Sequence, residues 1–147
     1  MKKILMSAIV LIVFSFAIIL FQISCKKGAL ADTKTPPTIK GLWVGSYTVD
    51  DQPGWGEQYF SLIIKPDGTM LTDSKGAGQQ HLAPGTWTLK NDTLKCDFTC
   101  VYGISSNVGI EEKTVAVVDK ATGQLVGKWK NAAAPVDSGK FILTKVN

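Results

Sequence analysis

Short segments rich in β-branched and aromatic residues recur along this chain, and turn-forming residues interrupt them at roughly every 8 to 12 positions. This spacing is typical of all-β sandwiches and barrels. After the apolar N-terminus, no segment shows the periodicity of an amphipathic helix. The pattern predicts eight strands, at 41–49, 58–65, 69–74, 81–90, 93–102, 110–119, 124–130 and 140–146.

The turns between these segments predict how the strands pair. If Asn91 and Asp92 form a two-residue hairpin loop, Trp87 lies opposite Cys96, and opposite residues share one side of the sheet. That side is then apolar and the other side polar, and the turns at 66–68 and 120–123 give the same result. Consecutive hairpins with one apolar side hide their edges most completely by closing. We therefore predict an all-β fold, an antiparallel up-and-down β-barrel of about eight strands.

The N-terminus has the organisation of a secretory signal. Lys2 and Lys3 precede an uncharged apolar run at 4–23, and the small residue Ser24 precedes Cys25. The polar segment that follows contains a Pro-Pro pair, which is typical of an extended tether. The alternative is an uncleaved membrane helix, because about 20 apolar residues can cross a bilayer. The predicted divisions are a signal peptide at 1–24, a lipidated cysteine and tether at 25–38, and a folded domain at 39–147.

The Ser24-Cys25 pair resembles the lipobox of bacterial lipoproteins. The resemblance implies that cleavage leaves Cys25 as the first residue, carrying the lipid that anchors the chain outside the cytoplasm. Lys26, in place of Asp, further implies sorting to the outer membrane, on a face that the sequence does not indicate.

A second resemblance concerns the folded domain. Gly41-Leu42-Trp43 opens the first predicted strand and matches the Gly-x-Trp motif of lipocalin and fatty-acid-binding barrels, and Gly85-Thr86-Trp87 repeats it. The order of elements over 39–147 is similar to the lipocalin-like lipoproteins of Gram-negative bacteria. The resemblance implies that Trp43 closes one end of the barrel, that Lys145 packs on it, and that any ligand is small and apolar.

Charge excludes several classes of partner. Without the signal peptide the chain keeps 14 lysines against 12 acidic residues, a net charge near +2, and it contains no arginine. So small a charge argues against nucleic-acid binding, and without arginine there are no bidentate phosphate clamps. We expect a monomer that needs no cofactor.

Catalytic and metal chemistry would have to use His81, the only histidine. No nucleophile motif is present, and the predicted sheet places His81 too far from Cys96 for a shared metal ion, so we predict neither catalytic residues nor a metal site. The acidic pairs Asp50-Asp51 and Glu111-Glu112 are interpreted as solvated loop or rim charges.

Cys96 and Cys100 lie four residues apart in one predicted strand. Their Cα atoms would then be about 13 Å apart, whereas a disulfide needs about 7 Å or less. We predict two free thiols that point into the barrel and react slowly.

Aromatic residues are the remaining candidates for a site. The predicted register directs seven rings inward, and these candidate ligand-binding residues are Trp43, Tyr47, Phe60, Trp87, Phe98, Tyr102 and Trp129. They either line a cavity for a hydrophobic ligand or fill a barrel that is only just wide enough for side chains. The small inward residues Gly45, Ala116 and Gly127 favour the cavity. Trp55, in a Gly/Pro loop, is a candidate contact at the barrel mouth.

These observations predict a membrane-anchored extracytoplasmic protein that binds a small hydrophobic ligand and is not an enzyme. The alternative is a filled barrel whose loops, including Trp55 and the 103–109 stretch, bind a protein or glycan partner.

Overall fold

A computed structural model describes residues 38–76, 78–133 and 136–146 of the chain. The predictions for the signal peptide, for Cys25 and for nearly all of the tether therefore lie outside the described residues. Within these ranges, no helix has the length and hydrophobicity needed to span a membrane.

Eight antiparallel strands form one closed barrel. They are β1 Gly41–Tyr47, β2 Gln58–Ile64, β3 Thr69–Gly76, β4 Gln79–Lys90, β5 Thr93–Thr99, β6 Glu111–Val118, β7 Leu125–Asn131 and β8 Ser138–Lys145. Each strand pairs with the next one, and β1 also pairs with β8, so the barrel has up-and-down topology. The predicted eight-stranded all-β barrel is confirmed.

The hairpin turns have the geometry that their residues favour. Asn91 and Asp92 both adopt positive φ, at 49° and 62°, as a type I′ turn between β4 and β5 requires. This turn places Trp87 opposite Cys96, which confirms the predicted register. Gly68 and Gly123, at φ 85° and 72°, supply the left-handed positions of two further turns. The local turn chemistry therefore sets the pairing of these three hairpins.

One end of the barrel, here called the closed end, is blocked by Trp43. This side chain is fully buried, and its indole N–H donates to the Ile39 carbonyl at 2.7 Å. The Lys145 ammonium lies 5.9 Å from the indole centroid and donates to the Thr38 carbonyl at 2.6 Å. The packing of Lys145 on Trp43 that the resemblance implied is therefore present.

Buried apolar side chains fill the barrel next to the closed end. They include Leu62, Ile64, Met70, Leu94, Leu125 and Leu143. The small residues Ala116 and Gly127 do not leave a cavity here, contrary to the expectation, because the ring of Phe141 occupies the space. A Cβ added to Gly127 would lie 2.4 Å from the Phe141 ring and 2.6 Å from the Ala116 methyl group. Gly45 has a different role, since its missing Cβ lets β1 approach the backbone of β8.

A β-bulge follows β5 and changes which residues face inward. The backbone N–H groups of Val101 and Tyr102 both donate to the Leu82 carbonyl, at 2.9 and 3.3 Å, so two residues lie opposite one. A shift of one residue moves side chains to the other face. Tyr102 is therefore 58% exposed on the outside, and its predicted place in the barrel interior was wrong.

Candidate functional site

The opposite end of the barrel is open and contains a cavity of about 340 Å³, here called the mouth cavity. Its aromatic and apolar lining consists of Tyr47, Val49, Trp55, Phe60, Phe98, Ile104, Ile110 and Trp129. Its polar lining includes Gln52, Ser74, His81, Asn107, Glu112, Asn131 and Asp137. The half of the barrel at the open end thus encloses a cavity, while the half at the closed end is a packed core.

Three aromatic rings form one wall of the mouth cavity. Tyr47 lies between Phe60 and Trp129, with ring centroids 5.9 and 5.8 Å away and the rings nearly perpendicular. The Trp129 indole N–H donates to the Thr48 carbonyl at 3.0 Å, which fixes the orientation of the ring. Phe60 also packs on the buried Phe141, at 5.4 Å. The wall is therefore held in place before any ligand enters.

The predicted ligand-binding residues separate into three groups. Tyr47, Phe60, Phe98 and Trp129 line the mouth cavity, and Trp55 lines its entrance with 46% of its surface exposed. Trp43 and Trp87 belong to the closed end, where the Trp87 indole N–H donates to the Lys65 carbonyl at 2.8 Å. Tyr102 lies outside, as described above.

Glu112 was missed as a site residue, and its interpretation as a solvated charge was wrong. It lies on β6 opposite Phe98 and Asn131, on the inward face, and lines the mouth cavity. Its neighbour Glu111 points outward and is exposed. The register of the 120–123 turn, extended two residues beyond Thr114, would have placed Glu112 inside.

Burial dominates the electrostatics of this carboxyl group. It raises the pKa of Glu112 to about 7, and the nearby charge of Asp137 contributes in the same direction. Burial also raises the pKa of Tyr47, with a further contribution from Glu112. Near neutral pH, Glu112 therefore exchanges between a carboxylic acid and a carboxylate inside the cavity.

The 103–109 loop covers one side of the mouth cavity and is held by His81. The Asn107 side-chain amide lies 3.2 Å from His81 Nε2, and Gly103 packs so closely on the imidazole that a Cβ there would clash. Burial lowers the pKa of His81, which favours a neutral ring whose Nε2 accepts from Asn107. The loop is also anchored by the Gly109 N–H, which donates to the Cys100 carbonyl at 2.8 Å.

The two cysteines of the barrel are free and buried, as predicted. Burial raises the pKa of Cys96 to about 11 and raises that of Cys100 as well, so both favour the unreactive thiol. Within the residues that the structure describes, no three His, Cys, Asp or Glu side chains come together as a metal-ligand set.

Together, the fold and the mouth cavity define a class of protein: a small closed up-and-down β-barrel with one packed end and one hollow end. Comparison of the chain with protein-family models, curated proteins and solved structures finds no match. The lipocalin-like resemblance therefore stays a prediction from the sequence.

Proposed function

We propose that this protein is a lipid-anchored, extracytoplasmic binding protein that holds a small, mainly apolar ligand in the mouth cavity without catalysing a reaction. The observation that carries the proposal is a cavity of about 340 Å³ with an aromatic wall at the open end of an otherwise packed barrel. Small-molecule sites typically occupy about 300 to 1,000 Å³, so this cavity suits a ligand at the small end of that range.

The organisation of the barrel supports binding at this end. The packed core at the closed end gives the cavity a rigid floor. The perpendicular contacts of Tyr47 with Phe60 and Trp129 fix its wall. A preorganised site loses little conformational freedom when a ligand enters, and more of the contact energy then contributes to affinity.

The place where the chain enters the barrel is compatible with an anchor. Thr38 and Ile39 contact Lys145 and Trp43 at the closed end. The described part of the chain therefore begins at the closed end, opposite the mouth cavity. The anchor itself rests on the lipobox resemblance at Cys25.

Filling the cavity tests the proposal. Ser74 lines the mouth cavity, whereas the next residue, Lys75, is exposed on the outside of β3. We expect Ser74→Phe to abolish the binding of an environment-sensitive fluorescent probe, measured by tryptophan quenching, and Lys75→Phe to leave it unchanged. If the unaltered protein binds no probe at high concentration, or if both variants bind equally well, the proposal is wrong.

One observation favours the alternative, a loop-mediated interaction module. Large apolar side chains are exposed around the mouth, namely Trp55, Val101, Tyr102 and Val108. Such residues at a rim are typical of contact surfaces. If site-specific cross-linking from Val108 in cells gives one discrete product that Tyr102→Ser removes, while Ser74→Phe does not, the alternative is supported.

A further inference from the structure

We infer that the ligand of the mouth cavity is a small organic amine, whose ammonium group binds at Glu112 while its apolar body packs against the aromatic wall. The inference rests on the proposed function and specifies the chemical class of its ligand.

Glu112 differs from the charged residues on the outside of the barrel in its surroundings. Within the described residues, no hydrogen-bond donor and no cation pairs with its carboxyl group, although it lies on the inward face of the barrel. By contrast, on the outside of the barrel Asp67 accepts from Thr69, and Asp97 pairs with Lys113 at 3.3 Å. An inward carboxylate without a partner is unfavourable, so its position is best explained by a partner that arrives with the ligand.

The described lining of the mouth cavity offers negative rather than positive charge. Asp137 lines it as a second carboxylate and raises the proton affinity of Glu112. Among the lining residues that the structure describes there is no lysine, and His81 is the only side chain that could become cationic. Burial favours its neutral form, in which Nε2 is already used by Asn107. The described lining of the cavity therefore has two potential negative charges and no lysine or arginine.

The aromatic wall of the mouth cavity also favours a cation. The faces of aromatic rings are negative, and cations therefore bind against them. Tyr47 and Trp129 share the cavity with Glu112, and the charge of Glu112 contributes to the raised pKa of Tyr47, so the carboxyl group and this wall lie within electrostatic reach. The same wall also suits the apolar part of a ligand.

The charges of the cavity discriminate between ligands of different charge. An ammonium group would pair with Glu112 and relieve its repulsion from Asp137, a neutral group would leave the repulsion in place, and an anion would increase it. A hard metal ion fits less well, because Ca²⁺ sites are built around several carboxylates, and among the described residues no three acidic, His or Cys side chains come together.

The experiment compares three probes with the same apolar body: 2-phenylethylamine, 2-phenylethanol and 3-phenylpropionate. Each is titrated calorimetrically into the full-length chain in a non-ionic detergent, with empty micelles as the blank. The variants are Glu112→Gln, which removes the charge but keeps the size of the side chain, and Glu111→Gln as the outward-facing control.

We expect the amine to bind at least about tenfold more tightly than the alcohol, and the carboxylate most weakly. Glu112→Gln should reduce this preference to about twofold or less, whereas Glu111→Gln should preserve it. If none of the probes binds, the proposed function fails together with the inference. If the alcohol binds as tightly as the amine, or if the preference survives in Glu112→Gln, only the inference is overturned.

Discussion

Replacing Glu112 with Gln should stabilise the unliganded protein at neutral and alkaline pH. Folding moves this carboxyl group from water, where its pKa is 4.5, into the mouth cavity, where burial and Asp137 raise the pKa to about 7. Because the folded state then holds the proton more tightly, the free energy of unfolding has its full value below about pH 4.5 and falls as the pH rises through about 7. Glutamine cannot ionise and escapes this loss.

The magnitude follows from the two pKa values. Each pH unit between them corresponds to about 1.4 kcal/mol, so the interval from 4.5 to about 7 corresponds to about 3 kcal/mol. Since the mouth cavity is open to solvent, water screens part of the charge, and we expect a measurable difference of about 2 kcal/mol.

The assay is urea unfolding followed by tryptophan fluorescence at about pH 4.5 and about pH 8. Glu112→Gln and the unaltered protein should be equally stable at the lower pH, with the variant about 2 kcal/mol more stable at the higher pH. Glu111→Gln is the matched control and should follow the unaltered protein at both. If Glu112→Gln gives no gain at the higher pH, Glu112 is solvated, and the electrostatic description of the mouth cavity is wrong.

Three further outcomes are expected. Trp43→Phe should lower the free energy of unfolding by roughly 2 to 3 kcal/mol in urea titrations, because it leaves a void and removes the donor to the Ile39 carbonyl. At the exposed Trp55, the same change should cost about 0.5 kcal/mol or less. Equal effects would mean that Trp43 does not close the barrel. Cys96 should react with a maleimide only after unfolding, and Cys100, which lines the mouth cavity, should react slowly. Mass spectrometry should find no bridge between them; a bridge would contradict the extended backbone from Cys96 to Cys100. Cys25→Ala should abolish incorporation of a labelled fatty acid in cells, and an unlabelled native protein would refute the lipobox prediction.

Local turn chemistry explains why most of the barrel could be predicted from the sequence. The Asn91-Asp92 turn and the glycines at positions 68 and 123 act within a few residues, and strand alternation extends their registers along each hairpin. The closed end was also predictable, because the Gly-x-Trp resemblance implies that Trp43 closes the barrel and that Lys145 packs on it.

The open end was harder to predict because it depends on departures from that alternation. The bulge at Val101 and Tyr102 depends on their hydrogen bonds to the Leu82 carbonyl. No local sequence motif predicts these bonds. Glu112 was misplaced for a different reason. Its charge favours a solvated position, whereas the strand register assigns it to the interior. A charged residue at an inward position of an otherwise apolar strand face is therefore an indication of a site.

The closure of β1 on β8 has a consequence for how the chain folds. Seven of the eight strand pairings join consecutive strands, whereas Trp43 and Lys145 meet across about a hundred residues. Local pairings form quickly, and a contact that closes so long a loop is entropically unfavourable until the intervening hairpins are in place. We therefore expect the β1–β8 seam to form last, with two strand edges open to other chains until it does. Mutations at Trp43 or Lys145 should accordingly accelerate unfolding much more than they slow folding.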